Sequence, residues 1–78
     1  MPKPWTRGTT TVWHAEEGWG VITSPDVGGD VWVHFSDILG ESYRELASGE
    51  PVEFRYEKRE QDEFRYAATS VRRLGTHA

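Results

Sequence analysis

Trp19, Trp32 and His34 carry the chemistry that this sequence suggests. They are flat, π-bearing side chains set in two short β-prone runs, Trp19-Gly20-Val21-Ile22 and Val31-Trp32-Val33-His34. Side chains on a strand alternate between two faces, so Trp32 and His34 share one face while Val31 and Val33 share the other. Small aliphatic residues belong in a core, which directs Ile22, Val31 and Val33 inward. Trp19, Trp32 and His34 are then left together on the outer face of one hairpin, with Val21 on the same face as Trp19. Leaving a large apolar side chain in water forgoes about 1.5–3 kcal/mol, so such a cluster calls for a ligand. Nucleobases qualify: stacking on an aromatic ring contributes roughly 1–3 kcal/mol per base and selects no sequence. A duplex hides the faces of its bases and a single strand exposes them, which points to single-stranded RNA and DNA.

The elements that hold these groups are short. Gly18, Gly20, the run from Pro25 to Gly29, Gly40, and Ser48-Gly49-Glu50-Pro51 break the chain into pieces. Between the breaks, residues favouring extended backbone predict strands at Thr9–His14, Trp19–Ser24, Asp30–Phe35, Val52–Lys58 and Phe64–Arg72. The second and third form a hairpin through Pro25–Gly29, and the fourth and fifth another through Glu60–Glu63. Gly18 and Gly20 flank Trp19, where they permit a tight turn and close approach of a ring or ligand. Leu39, Tyr43 and Leu46 suit either two turns of amphipathic helix or a long connection carrying one exposed ring. Five strands with one longer connection predict an all-β, five-stranded antiparallel barrel.

Composition narrows the function. At 78 residues the chain is one small domain, able to bury about 60% of the surface its unfolded form exposes. It has no cysteine, which excludes disulfides and Cys-based zinc sites. Hydrophobic residues reach only 36%, yet aromatics reach 13%, and rings are what disordered chains lack. No apolar run approaches the roughly 18 residues of a membrane span, and the start lacks signal-peptide features, so a soluble, intracellular protein with no membrane partner is expected; a monomer is expected as well. The formal charge of −4 argues against a partner captured by bulk positive charge. His34, Ser36 and Asp37 match a catalytic triad in composition only, since neighbours at a strand end diverge. Neither HxH nor HExxH spacing occurs, and no Gly-rich phosphate loop. The expectation is no catalytic residue, no metal, no cofactor and no small-molecule substrate. Arg55, Lys58, Arg59, Arg65, Arg72 and Arg73 alternate with Glu53, Glu57, Glu60, Asp62 and Glu63, a pattern that reads as a cross-paired, solvated hairpin rather than a phosphate track. The rival class is a protein-interaction module whose aromatic groove grips a proline-rich or methylated peptide.

Glu17-Gly18-Trp19-Gly20-Val21-Ile22 and Val31-Trp32-Val33-His34-Phe35 resemble the two ribonucleoprotein-type motifs of cold-shock domains. Gly8 and Thr9 to Glu16 stand where that family has its first strand. Tyr43-Arg44-Glu45-Leu46, Gly49 and Val52-Glu53-Phe54 resemble its loop and fourth strand, and Ala67-Ala68-Thr69-Ser70-Val71 its last. The likeness covers residues 8–74 and leaves 1–7 and 75–78 as tails. It implies an oligonucleotide-binding (OB-fold) barrel that binds single-stranded RNA and DNA as an RNA chaperone, antiterminator or regulator, mostly in the bacterial cytoplasm. Position by position, Trp19, Trp32, His34 and Phe35 match stacking residues, and Tyr43 the ring of the loop. Trp13 and His14 match an aromatic and a polar residue beside that patch, although a bulge in the first strand would alter the parity of Trp13. Asp30 matches an acidic residue that accepts a hydrogen bond from a base edge, and Arg44, beside Tyr43, is the phosphate candidate.

The chain departs from the family at Val12 and Val21, where the family usually has Trp and Phe. It also has Thr9, Thr11 and Glu17 where lysines are usual. From Arg7 to Phe35 the only Lys or Arg is Arg7, against Glu16, Glu17, Asp26 and Asp30. The implied ligand is held by stacking, with few phosphate contacts and a shallow salt dependence. Four or five stacked bases contribute about 5–15 kcal/mol gross against association costs of about 4–15, which leaves micromolar affinity.

Overall fold

The β-prone runs form five strands in a computed structural model that describes residues 4–40, 45–61 and 63–74. They are β1 (Thr6–His14), β2 (Trp19–Thr23), β3 (Val31–His34), β4 (Pro51–Gln61) and β5 (Phe64–Arg73), with one 3-10 turn over Phe35–Asp37. They close a barrel in the order β1-β2-β3-β5-β4. Four of the five pairings are antiparallel; β3 and β5 are parallel, with Val31 beside Tyr66 and Trp32 beside Ala67. This corrects the wholly antiparallel expectation, and the reason is topological. β1 and β5 already occupy both edges of β4, so β3 must close on β5, and two successive reversals from β3 leave β5 pointing the same way.

Inward-facing Ile22, Val31, Val33, Val52, Phe54, Ala68 and Val71 are fully buried and form the core with Ile38 and Leu46. Thr10 is buried with them. In the ambiguous connection, Glu45–Ala47 form no helix, while 41–44 lie outside the described residues. Among the described residues no helix is long and apolar enough to cross a membrane.

The folded unit starts earlier than Gly8. Thr6 and Arg7 pair with Phe54 and Glu53 of β4, so the expected 1–7 tail is already strand at its inner end. Trp5 precedes them between two guanidinium groups, with the Arg55 and Arg72 carbons 4.3 and 3.9 Å from its ring centroid. Both cations face the negative π-cloud of the indole. Arg72 also holds Glu53 at 2.8 Å, Arg7 approaches the same carboxylate at 3.4 Å, and Arg73 lies 2.8 Å from Glu50. Much of the hairpin is therefore cross-paired.

Glu53 links β1, β4 and β5, and this has a pH consequence. The hydrogen bond from Arg72 holds its carboxyl below the usual range, reinforced by the charges of Arg72 and Arg7 and opposed by burial. A depressed folded pKa adds stability above the unfolded value of about 4.3 and loses it as pH falls through the folded value. Glu53→Gln is expected to melt lower than wild type at neutral pH, the gap closing as pH falls through the folded pKa. Melting curves across that range that stay parallel would reject this assignment.

Candidate nucleic-acid interface

Register across three strands assigns the faces. One row of aligned residues runs His14–Trp19–His34 across β1, β2 and β3; a second runs Val12–Val21–Trp32. Between them lies Trp13–Gly20–Val33, and beyond them Thr10–Ile22–Val31. Because Thr10, Ile22, Val31 and Val33 are buried, the first two rows face outward. Val21 lies in an outward row yet is only 7% exposed, since Val12 and Trp32 flank it.

A β-bulge between Thr10 and Val12 decides which β1 side chains join this face. Thr11 is the extra residue. Upstream of it even-numbered Thr10 points inward; downstream, odd-numbered Trp13 does so and His14 turns outward. Trp13 therefore leaves the stacking face on which it was expected. It packs against the core cluster, half-buried. Gly20 makes the room: a Cβ there would meet Trp13 Cε3 at 2.5 Å and would also strike the Val12 carbonyl. Gly20→Ala must therefore push the indole or the β1 backbone. We expect a loss of about 1–3 kcal/mol, read from urea unfolding; an unchanged midpoint would contradict this packing.

The outward rings touch in two groups. His14 and Trp19 have centroids 4.4 Å apart, and Trp19 meets Phe64 edge-on at 6.2 Å. Trp32 and His34 are stacked at 5.8 Å, and His34 and Phe35 lie 4.5 Å apart. Phe35, 42% exposed, sits over Gly18, whose φ of +79° and lack of a side chain let the ring approach. By sequence alone Phe64 is only a strand-former. Its alternation pattern holds no signal, because the contact depends on how the β4–β5 hairpin folds back beside β2.

Hydrogen bonds set the orientation of two of these rings. The Trp19 indole N–H donates to Glu17 Oε1 at 2.7 Å, so the acidic residue standing in a usual lysine position fixes this indole. His34 caps the 3-10 turn. Ser36 N–H donates to His34 Nδ1 at 3.2 Å, and Asp37 Oδ2 accepts from His34 N–H at 3.2 Å. The cap engages Nδ1, which also lies 2.8 Å from Ser36 Oγ, so a ligand would meet the ring at Nε2. The capping and ligand-contact roles of His34 are thus compatible. Asp37 binds backbone rather than the ring, so His34, Ser36 and Asp37 do not form a charge relay.

Asp30 is exposed immediately before β3, at an open groove shared with Phe64, Arg65 and Tyr66. Tyr43 and Arg44 lie outside the described residues. What these rows offer is flat apolar rings with two imidazoles, edged by several carboxylates, suited to planar ligands with hydrogen-bonding edges.

Comparison with known proteins bears on the same region. The profile of the 'Cold-shock' DNA-binding domain matches residues 6–74. A cold shock-like protein of Aquifex aeolicus is 44% identical over 48 residues, 62% of this chain and 69% of that protein. The major cold shock protein of Micrococcus luteus is 45% identical over 47 residues, 60% of this chain and 70% of its own length. Glycine-rich protein 2 of Nicotiana sylvestris is 45% identical over 51 residues, 65% of this chain but 24% of that longer protein.

Proposed function

The chain belongs to the 'Cold-shock' DNA-binding domain family, and from that premise we propose that it binds single-stranded RNA and DNA by stacking bases on the outer face of β2 and β3. The observation that carries this reading is the grouping of Trp32, His34 and Phe35, with centroid steps of 5.8 and 4.5 Å, beside the His14–Trp19 pair. Each ring replaces one stacking partner that a base loses when its neighbour is removed. The Nε2 of His34 and the carboxylate of Asp30 add hydrogen bonds at base edges. Trp13 acts from below, as the inward packing beneath Gly20, and Phe64 extends the stacking surface past Trp19.

The reading extends to an RNA chaperone acting in the cytoplasm. A protein that binds unpaired but not paired strands favours the open form by mass action, by about 1.4 kcal/mol for each tenfold excess over its Kd. Stacking that ignores sequence suits that task. The test is titration of oligo-dT, oligo-dC and oligo-U while tryptophan emission is followed. Quenching that saturates near micromolar concentration is expected. Saturation by a cationic or proline-rich peptide, with no response to any oligonucleotide, would overturn the reading.

A further inference from the structure

The six cations of the β4–β5 hairpin are not equivalent. Arg55 and Arg72 stack on Trp5, Arg72 also holds Glu53, Arg73 holds Glu50, and Arg59 lies 3.4 Å from Glu57. Lys58 and Arg65 make no ion pair among the described residues. They rim an open groove of about 420 Å³, together with Arg59, Glu60 and Tyr66. Arg65 and Tyr66 also line the adjoining groove of about 430 Å³ that includes Asp30 and Phe64. Phe64 in turn meets Trp19. Arg65 and Tyr66 line both grooves, so the two adjoin between Phe64 and Lys58.

We propose that Lys58 and Arg65 bind two phosphates of a single strand whose bases occupy the outward rings, a track that rests on the stacking reading above. Every nucleotide carries a negative charge, yet from Arg7 to Phe35 the only Lys or Arg is Arg7, and Glu53 engages it. Within that run Glu16 and Glu17 have no Lys or Arg beside them in the sequence. A strand continuing past Phe64 and Tyr66 reaches two cations that hold no carboxylate among the described residues. Glu60 and Glu63 stand on the same rims, so the attraction is confined to two point contacts and does not become a broad positive field.

The experiment compares a tetramer and a dodecamer of dT, titrated into wild type, the double variant Lys58→Gln/Arg65→Gln, and Trp32→Ala. Circular dichroism verifies that each is folded. Two phosphate contacts on a single strand give a slope of about −1.4 in log K against log salt, or about sevenfold weaker binding from about 50 to 200 mM. That loss is expected for the dodecamer with wild type and is absent in the double variant, whose affinity at low salt is correspondingly reduced. The tetramer, with fewer phosphates to place on the track, is expected to lose less affinity than the dodecamer on the double substitution. A double variant that keeps the wild-type slope with the dodecamer overturns the track and leaves stacking intact. Failure of the stacking reading looks different, since neither oligonucleotide would then lose affinity on Trp32→Ala.

Discussion

Replacing Trp19 and Trp32 together with alanine is expected to weaken oligo-dT binding by roughly 30-fold to four orders of magnitude. The range follows from about 1–3 kcal/mol for each lost stacking partner and about 1.4 kcal/mol per tenfold. The two rings lie in different outward rows and meet different rings, Trp19 meeting His14 and Phe64 while Trp32 meets His34. Their losses should therefore add approximately. The single variants are expected to share the deficit and to leave melting temperature nearly unchanged, because neither ring is part of the core cluster. Trp5 provides the control. It lies on the arginines of β4 and β5, so Trp5→Phe removes a fluorophore and should leave affinity at the wild-type value. Binding is best followed by anisotropy of a labelled oligonucleotide, which does not depend on the tryptophans removed. Affinity of the double variant within threefold of wild type would mean that the rings are not where bases bind.

Phe54→Ala is expected to cost about 3–5 kcal/mol, the usual range for emptying a buried phenylalanine site. Phe54 is the largest fully buried side chain and lies against Tyr56, with ring centroids 5.7 Å apart. Its Cε1 also comes within 2.8 Å of where a Gly8 Cβ would stand, so the first strand is built around this ring. A domain of this size has a total stability of about 4–12 kcal/mol, and the loss removes a quarter of it or more. Urea unfolding followed by circular dichroism should show a much lower midpoint, with Phe54→Leu in between. A midpoint close to wild type would mean that the barrel closes around something other than this ring. Oligonucleotide binding should fall with the folded fraction, because the outward rows exist only while β1, β2 and β3 are paired.

Much of the β2–β3 face was legible from residue type. Alternation alone sends Ile22, Val31 and Val33 inward, since a period-two pattern leaves each side chain only two directions. Trp19, Trp32 and His34 then have to appear on the other side. The five strands were legible too, because Gly and Pro mark their ends and β-branched or aromatic residues fill them. The cold-shock likeness needed only the two motifs and their separation.

Tertiary structure decided the rest, for one physical reason: the missing features are relations between residues far apart in the chain. Whether an extra residue is accommodated at Thr11 depends on what β2 offers opposite it, and that choice moved Trp13 into the barrel and His14 out. Phe64 reaches Trp19 because a hairpin folds back, and β3 meets β5 in parallel because β4 has no free edge. The engagement of Arg55, Arg72 and Arg73 likewise needs Trp5, Glu53 and Glu50 in place. Local pattern determines which way a side chain faces within its own strand; only closure of the barrel determines what it meets there.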